Sequence, residues 1–205
     1  MIQLAEGTDH QAWADKAAIA LALVNARLGN VAVAKAAADR LQTALSQQLQ
    51  TERSGRLAYF IQLLGQAYSC LNELDTAQSL YQTAMAFATV GHYLQIKAKT
   101  LTGFGEIARK QGRFTQSIDY HRQAIATLEQ VGARCDLAEA HFQLALTLEE
   151  RDQRERGPVA EACWEGNPSR THAEIAMGLF TDIDAPRQVE KVRKFWPIAA
   201  QAARP

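Results

Sequence analysis

Apolar positions recur along the chain at i, i+3, i+4 and i+7, the spacing that gathers four side chains on one face of an α-helix. Ile61, Leu64, Gly65 and Tyr68 follow it. Forty residues later stand Leu101, Phe104, Gly105 and Ala108, and forty later again His141, Leu144, Ala145 and Leu148. Upstream, Ala18, Leu21, Ala22 and Asn25 fit the same spacing. Each set places a Gly or Ala directly after a large apolar residue, and a small residue there lets a second helix approach closely. The second helix is marked at i, i+4, i+7 by Ala34, Ala38 and Leu41, then by Ala77, Tyr81 and Ala84, then by Ser117, His121 and Ala124. Between the two helices of each unit, at one position, stand Gly29, Asn72, Gly112 and Asp152. These residues tolerate the left-handed backbone that ends a helix and turns the chain.

The pattern predicts helix-pair units over about 13–50, 55–91, 95–132 and 136–185, forming one domain over 1–205. The fourth unit carries an insertion near 155–168, because Ser117 and Ser169 are 52 residues apart instead of forty. Gly157-Pro158 and Gly166-Asn167-Pro168 break helices within it, and Asn167 is placed to cap the next helix with Pro168 in its first turn. Trp164, between these breaks, is a candidate loop contact or a lid over the end of the repeats. Pro186 opens a last, net positive segment, 186–205, whose Val189, Val192, Phe195 and Trp196 would pack on the last unit as a capping helix.

Leu64-Gly65-x2-Tyr68 followed by Ala77-x3-Tyr81-x2-Ala84 resembles the tetratricopeptide repeat family, whose unit is two antiparallel helices with an L-G-x2-Y…A-x3-F signature. Phe104-Gly105, Gly112 and Ala124 make a second match. Two features depart from the family: the spacing is near forty residues instead of 34, and no Pro follows the second helix at Thr89-Val90-Gly91 or Gln130-Val131-Gly132. The resemblance implies an all-α fold, a right-handed solenoid of helix pairs with a concave side lined by the first helix of each unit.

Composition narrows the function. The chain has 205 residues, 22 Lys+Arg against 22 Asp+Glu, so neither nucleic acid nor an anionic membrane is implied as a partner. Hydrophobic residues make up 47% and charged residues 21%, the balance of a globular chain. No apolar run reaches the length that spans a bilayer, so membrane insertion is not expected. Cys70, Cys135 and Cys163 form no CxxC pair, which points to reduced, structural thiols and a cytoplasmic setting and gives no zinc-ligand spacing. The five histidines are scattered, with His121 and His141 on inward positions where satisfied core histidines are commoner than ligands. The run from Glu149 to Arg156 reads as a helix end laced with i, i+4 ion pairs. No phosphate-binding loop, nucleophile–base set or metal motif is present, so no catalytic, cofactor-binding or metal residue is expected.

The resemblance places the binding face on the first helices, as a groove either open to a partner or partly filled by the chain's own tail. Its lining would be Ile19 and Leu23 in the first unit; Tyr59, Gln62, Gln66 and Ser69 in the second; Lys99, Thr102, Glu106, Arg109 and Lys110 in the third; and Glu139, Phe142, Leu146 and Glu149 in the fourth. Tyr59 and Phe142 offer apolar contact, Gln62 and Gln66 suit a peptide backbone, and Lys99, Arg109 and Lys110 suit a carboxylate. Ile19 and Leu23 replace the cationic clamp that some chaperone-binding members carry, so that activity is not expected. The expected function is a noncatalytic bacterial adaptor holding a segment of another protein. The alternatives are a sensor of a small ligand or peptide and a subunit of a larger assembly.

Overall fold

The computed structural model describes residues 11–49, 54–156 and 167–195. Trp164, Cys163, Trp196 and most of the insertion lie outside them. The described residues form nine α-helices and no strand: α1 Gln11–Arg27, α2 Val31–Gln48, α3 Gly55–Cys70, α4 Leu74–Val90, α5 Leu94–Lys110, α6 Phe114–Val131, α7 Arg134–Arg156, α8 Pro168–Asp182 and α9 Pro186–Phe195. The chain divides into two compact units, residues 1–103 and 104–205, with the division falling inside α5.

One turn chemistry joins the helices. Gly29, Asn72 and Gly112 have φ of 80°, 62° and 73°, the left-handed conformation expected of them. The turns after α4, α6 and α8 use His92, Gly132 and Asp184 in the same way, at 55°, 68° and 52°. The next backbone N–H then reaches back to a carbonyl in the helix just ended, as from Glu73 N to Tyr68 O (3.0 Å), Arg113 N to Ala108 O (2.8 Å) and Ala185 N to Phe180 O (2.9 Å). This closure satisfies a carbonyl that the helix end would leave unpaired. Asp152 does not turn the chain: α7 runs on through it to Arg156, and its carboxylate takes Arg151 at 2.8 Å. The break falls later, ahead of Asn167, whose side chain caps α8 by accepting from Ser169 N at 3.0 Å.

In the unit 1–103, Tyr81 of α4 is fully buried between α3 and α5. A Cβ on Gly65 would lie 2.7 Å from its ring, and one on Gly103 2.3 Å from it, so both glycines are required for the ring to fit. Tyr68 carries the contact from α3 to α2: its phenol donates to Asp39 Oδ1 at 2.6 Å and lies 2.8 Å from Gln42 Oε1. Burial, then the Asp39 carboxylate, raise that phenol's pKa.

In the unit 104–205, His121 of α6 occupies the repeat position of Tyr81, with its Cε1 2.4 Å from where a Gly105 Cβ would stand. Ser117 Oγ donates to Gly105 O at 2.8 Å and lies 3.1 Å from Thr147 Oγ1, tying α5, α6 and α7 together. Farther on, Ala138, Phe142 and Ala145 of α7 meet Ala173, Ala176 and Phe180 of α8 and Val189 and Val192 of α9 in one core.

Candidate partner-binding face

In the unit 1–103 the expected lining residues lie at different depths. Ile19 and Leu23 are buried and serve the core instead of a groove. Tyr59, Gln66 and Lys99 are half-buried, and the Lys99 ammonium stands 5.9 Å from the centroid of the Tyr59 ring, a cation–π distance. Ser69 and Thr102 are buried, and the Thr102 hydroxyl donates back to Ala98 O at 3.2 Å. Gln62 is 1% exposed, and its Oε1 has no hydrogen-bond partner. An unpaired buried amide oxygen costs roughly 1–3 kcal/mol.

In the unit 104–205 Arg109, Glu139 and Glu149 are engaged by residues outside the expected lining. Arg109 Nη1 reaches Glu150 at 3.0 Å, and Arg154 holds the other oxygen of the same carboxylate at 3.0 Å. Glu139 receives the Lys191 ammonium from α9 at 3.1 and 3.3 Å and the Gln143 amide at 2.8 Å. Glu149 takes hydrogen bonds from Ser169 and Gln153 at 2.9 and 3.0 Å. Lys110 is exposed, and Leu146 is packed against the α7–α9 core. Glu106 is half-buried; burial, and next the Glu139 carboxylate, push its carboxyl pKa up against the pull of Arg109, Lys110 and Lys191.

Phe142 departs from the expectation. It is fully buried, with the Phe195 ring edge-on at 5.7 Å and Lys191 over its face at 4.6 Å. The reason is that it belongs to the core that α7 shares with α8 and α9. Lys191 belongs to the net positive last segment and is set on Glu139. Its signal was available, because Tyr59, Lys99, Glu139 and Lys191 share one repeat position once the insertion is allowed for. The structure also joins two histidines that the sequence leaves far apart: His141 Nδ1 and His172 Nδ1 are 2.9 Å apart, and burial lowers both pKa values, that of His141 to about 4. Among the described residues no group of three His, Cys, Asp or Glu side chains could hold a metal ion, and no helix is long and apolar enough to cross a membrane.

Solved structures share this fold, and two of them serve for comparison. A protein from P. anserina described as a kinesin light chain with nearly identical TPR-like repeats matches with a TM-score of 0.53 at 15% identity, over 97% of this chain and 100% of that one. The chain has a tetratricopeptide-like repeat fold. BtubC (BKLC) from P. vanneervenii matches this fold with a TM-score of 0.52 at 13% identity, over 95% of this chain and 83% of that one. No family model matches the sequence, and no curated protein is matched by it. At these identities the tetratricopeptide-like likeness is one of fold.

Proposed function

We propose that the chain is a noncatalytic protein-interaction module that holds a segment of a partner polypeptide on the first-helix face of the unit 1–103, formed by α3 and the start of α5. The carrying observation is Gln62, whose Oε1 is buried and unpaired. Turned outward between the half-buried Tyr59 and Gln66, its amide would meet the backbone N–H of a bound segment. Gln66 would add a second amide, and the Lys99–Tyr59 pair a cation on an aromatic face.

The fold supports this reading, because stacked helix pairs present extended faces to protein partners. The test is affinity capture on immobilised protein, comparing the wild type with Gln62→Leu and with Gln66→Ala. Both variants are expected to keep their helical content and lose the captured partner. An unchanged set of captured proteins would refute the assignment of this face.

A further inference from the structure

In the unit 1–103, α1 shows to solvent the face that α3 buries. Leu21 and Val24 of α1 stand at the repeat positions of Leu64 and Ala67, and Leu28 at that of Leu71. Leu64 and Ala67 are 0% exposed, whereas Leu21, Val24 and Leu28 are 51%, 49% and 71% exposed. The α3 face is covered by α2, through Tyr68 to Asp39 and Gln42, and through Lys35 to Glu73 at 2.8 Å just beyond the helix end. At the positions of Tyr68 and Glu73 the first hairpin has Asn25 and Asn30, whose amides bond to one another at 3.0 Å. Val31 and Val33 at the start of α2 are 55% and 60% exposed. Leu21 and Val24 of α1 and Leu28 just past its end, which share one face, expose on the order of 300 Å² of apolar surface, the size of the largest patch on a typical soluble monomer and often a contact.

We infer that this face is a docking surface for an acidic amphipathic helix supplied by another protein, packing on α1 as α2 packs on α3. The internal template sets the shape: α2 buries a stripe of small and medium apolar residues, Ala34, Ala38, Leu41 and Leu45, beside the Asp39 and Gln42 that meet α3. The charge is set by the rim. Arg27 on α1 and Arg40 on α2 are exposed cations, while Asp15 is buried and Asp39 is engaged by Lys35 and Tyr68. A second copy would bring the same cations against them, whereas acidic flanks on the incoming helix complement them. This surface is separate from the α3–α5 face, and its test does not depend on that face.

The probe is a labelled 18-residue peptide with the sequence of α2 in which Glu replaces Lys35 and Arg40, titrated against the full chain by fluorescence anisotropy. Saturable binding is expected that weakens with added salt. The double variant Leu21→Ser/Leu28→Ser should bind about tenfold more weakly or less, with its melting temperature and helical content unchanged. Four outcomes would overturn the inference: no binding to the wild type, equal binding to the double variant, tighter binding of the peptide with Lys35 and Arg40 retained, or a wild-type dimer in sedimentation that the double variant abolishes. A double variant that melts several degrees lower would likewise overturn it, because the face would then already be covered by the chain's own residues.

Discussion

Replacing His121 with Phe should stabilise the protein, and more in mild acid than at neutrality. His121 is fully buried, and neither ring nitrogen has a hydrogen-bond partner. Neutral imidazole there forgoes hydrogen bonds that it makes in water, a cost of roughly 1–3 kcal/mol that Phe does not carry. At the same repeat position Tyr81 packs a six-membered ring against Gly65, where His121 packs a five-membered one against Gly105. Burial, and next the Arg109 charge, lower the His121 pKa to about 3, against 6.5 for an ordinary histidine. The unfolded chain therefore takes up a proton that the folded chain refuses, so the His121 contribution to stability falls as pH drops below 6.5 and levels off near 3. Between pH 7 and pH 5 this linkage amounts to about 2 kcal/mol. Urea unfolding of wild type and variant at both pH values reads the two effects separately. The variant should be about 1–2 kcal/mol more stable at pH 7, with the gap widening by about 2 kcal/mol at pH 5. A variant less stable at pH 7, or a gap that does not grow in acid, would refute the account of His121 as an unsatisfied core base.

Gly103→Ala and Gly105→Ala should each destabilise the fold by about 1–3 kcal/mol through overpacking, since their new methyl groups would stand 2.3 Å from the Tyr81 ring and 2.4 Å from the His121 ring; differential scanning calorimetry checks both. Tyr68→Phe leaves Asp39 and Gln42 without the phenol at 2.6 and 2.8 Å and should cost about 1 kcal/mol in a chemical melt. Phe142→Ala should cost about 3–5 kcal/mol, as for a core aromatic, whereas Lys191→Ala should cost about 1 kcal/mol or less because its ion pair with Glu139 is partly exposed. A Phe142 variant that melts like wild type would return that ring to the binding face. His172→Asn should blunt the loss of stability on acidification below pH 6.5, since both partners of the His141–His172 contact have lowered pKa values.

The helix pairs were legible because their signals are local. Gly29, Asn72 and Gly112 carry the turn in the residue itself, and the Gly65 and Gly105 positions announce the ring that packs on them. Asp152 misled because its turn tolerance was read without its setting: Arg151 and the i, i+4 pair from Arg154 to Glu150 carry the helix through it. The binding face was harder to read. Repeat position says which way a side chain points, but whether it is reachable depends on what lies beside it. Phe142 and Gln62 share one repeat position and both are buried, the first with the Phe195 ring of α9 against it. Arg109 reads as a free cation in the sequence because its partner Glu150 lies 41 residues on in another helix.

Two of the orphaned polar side chains, one taken from each unit, separate stability from function. His121 and Gln62 are both buried with unpaired atoms, so an apolar replacement should relieve a desolvation cost at either place. They differ in setting. His121 faces Gly105 inside the helix packing, whereas Gln62 lies between Tyr59 and Gln66 on the first-helix face. If polarity at Gln62 serves a partner, Gln62→Leu should raise the melting temperature while removing partner capture, the trade expected where a binding group is held against stability. His121→Phe should raise it and leave capture intact. The pair is therefore a control as well as a test, because loss of capture in both variants would trace to the fold, and loss in neither would remove Gln62 from the binding face.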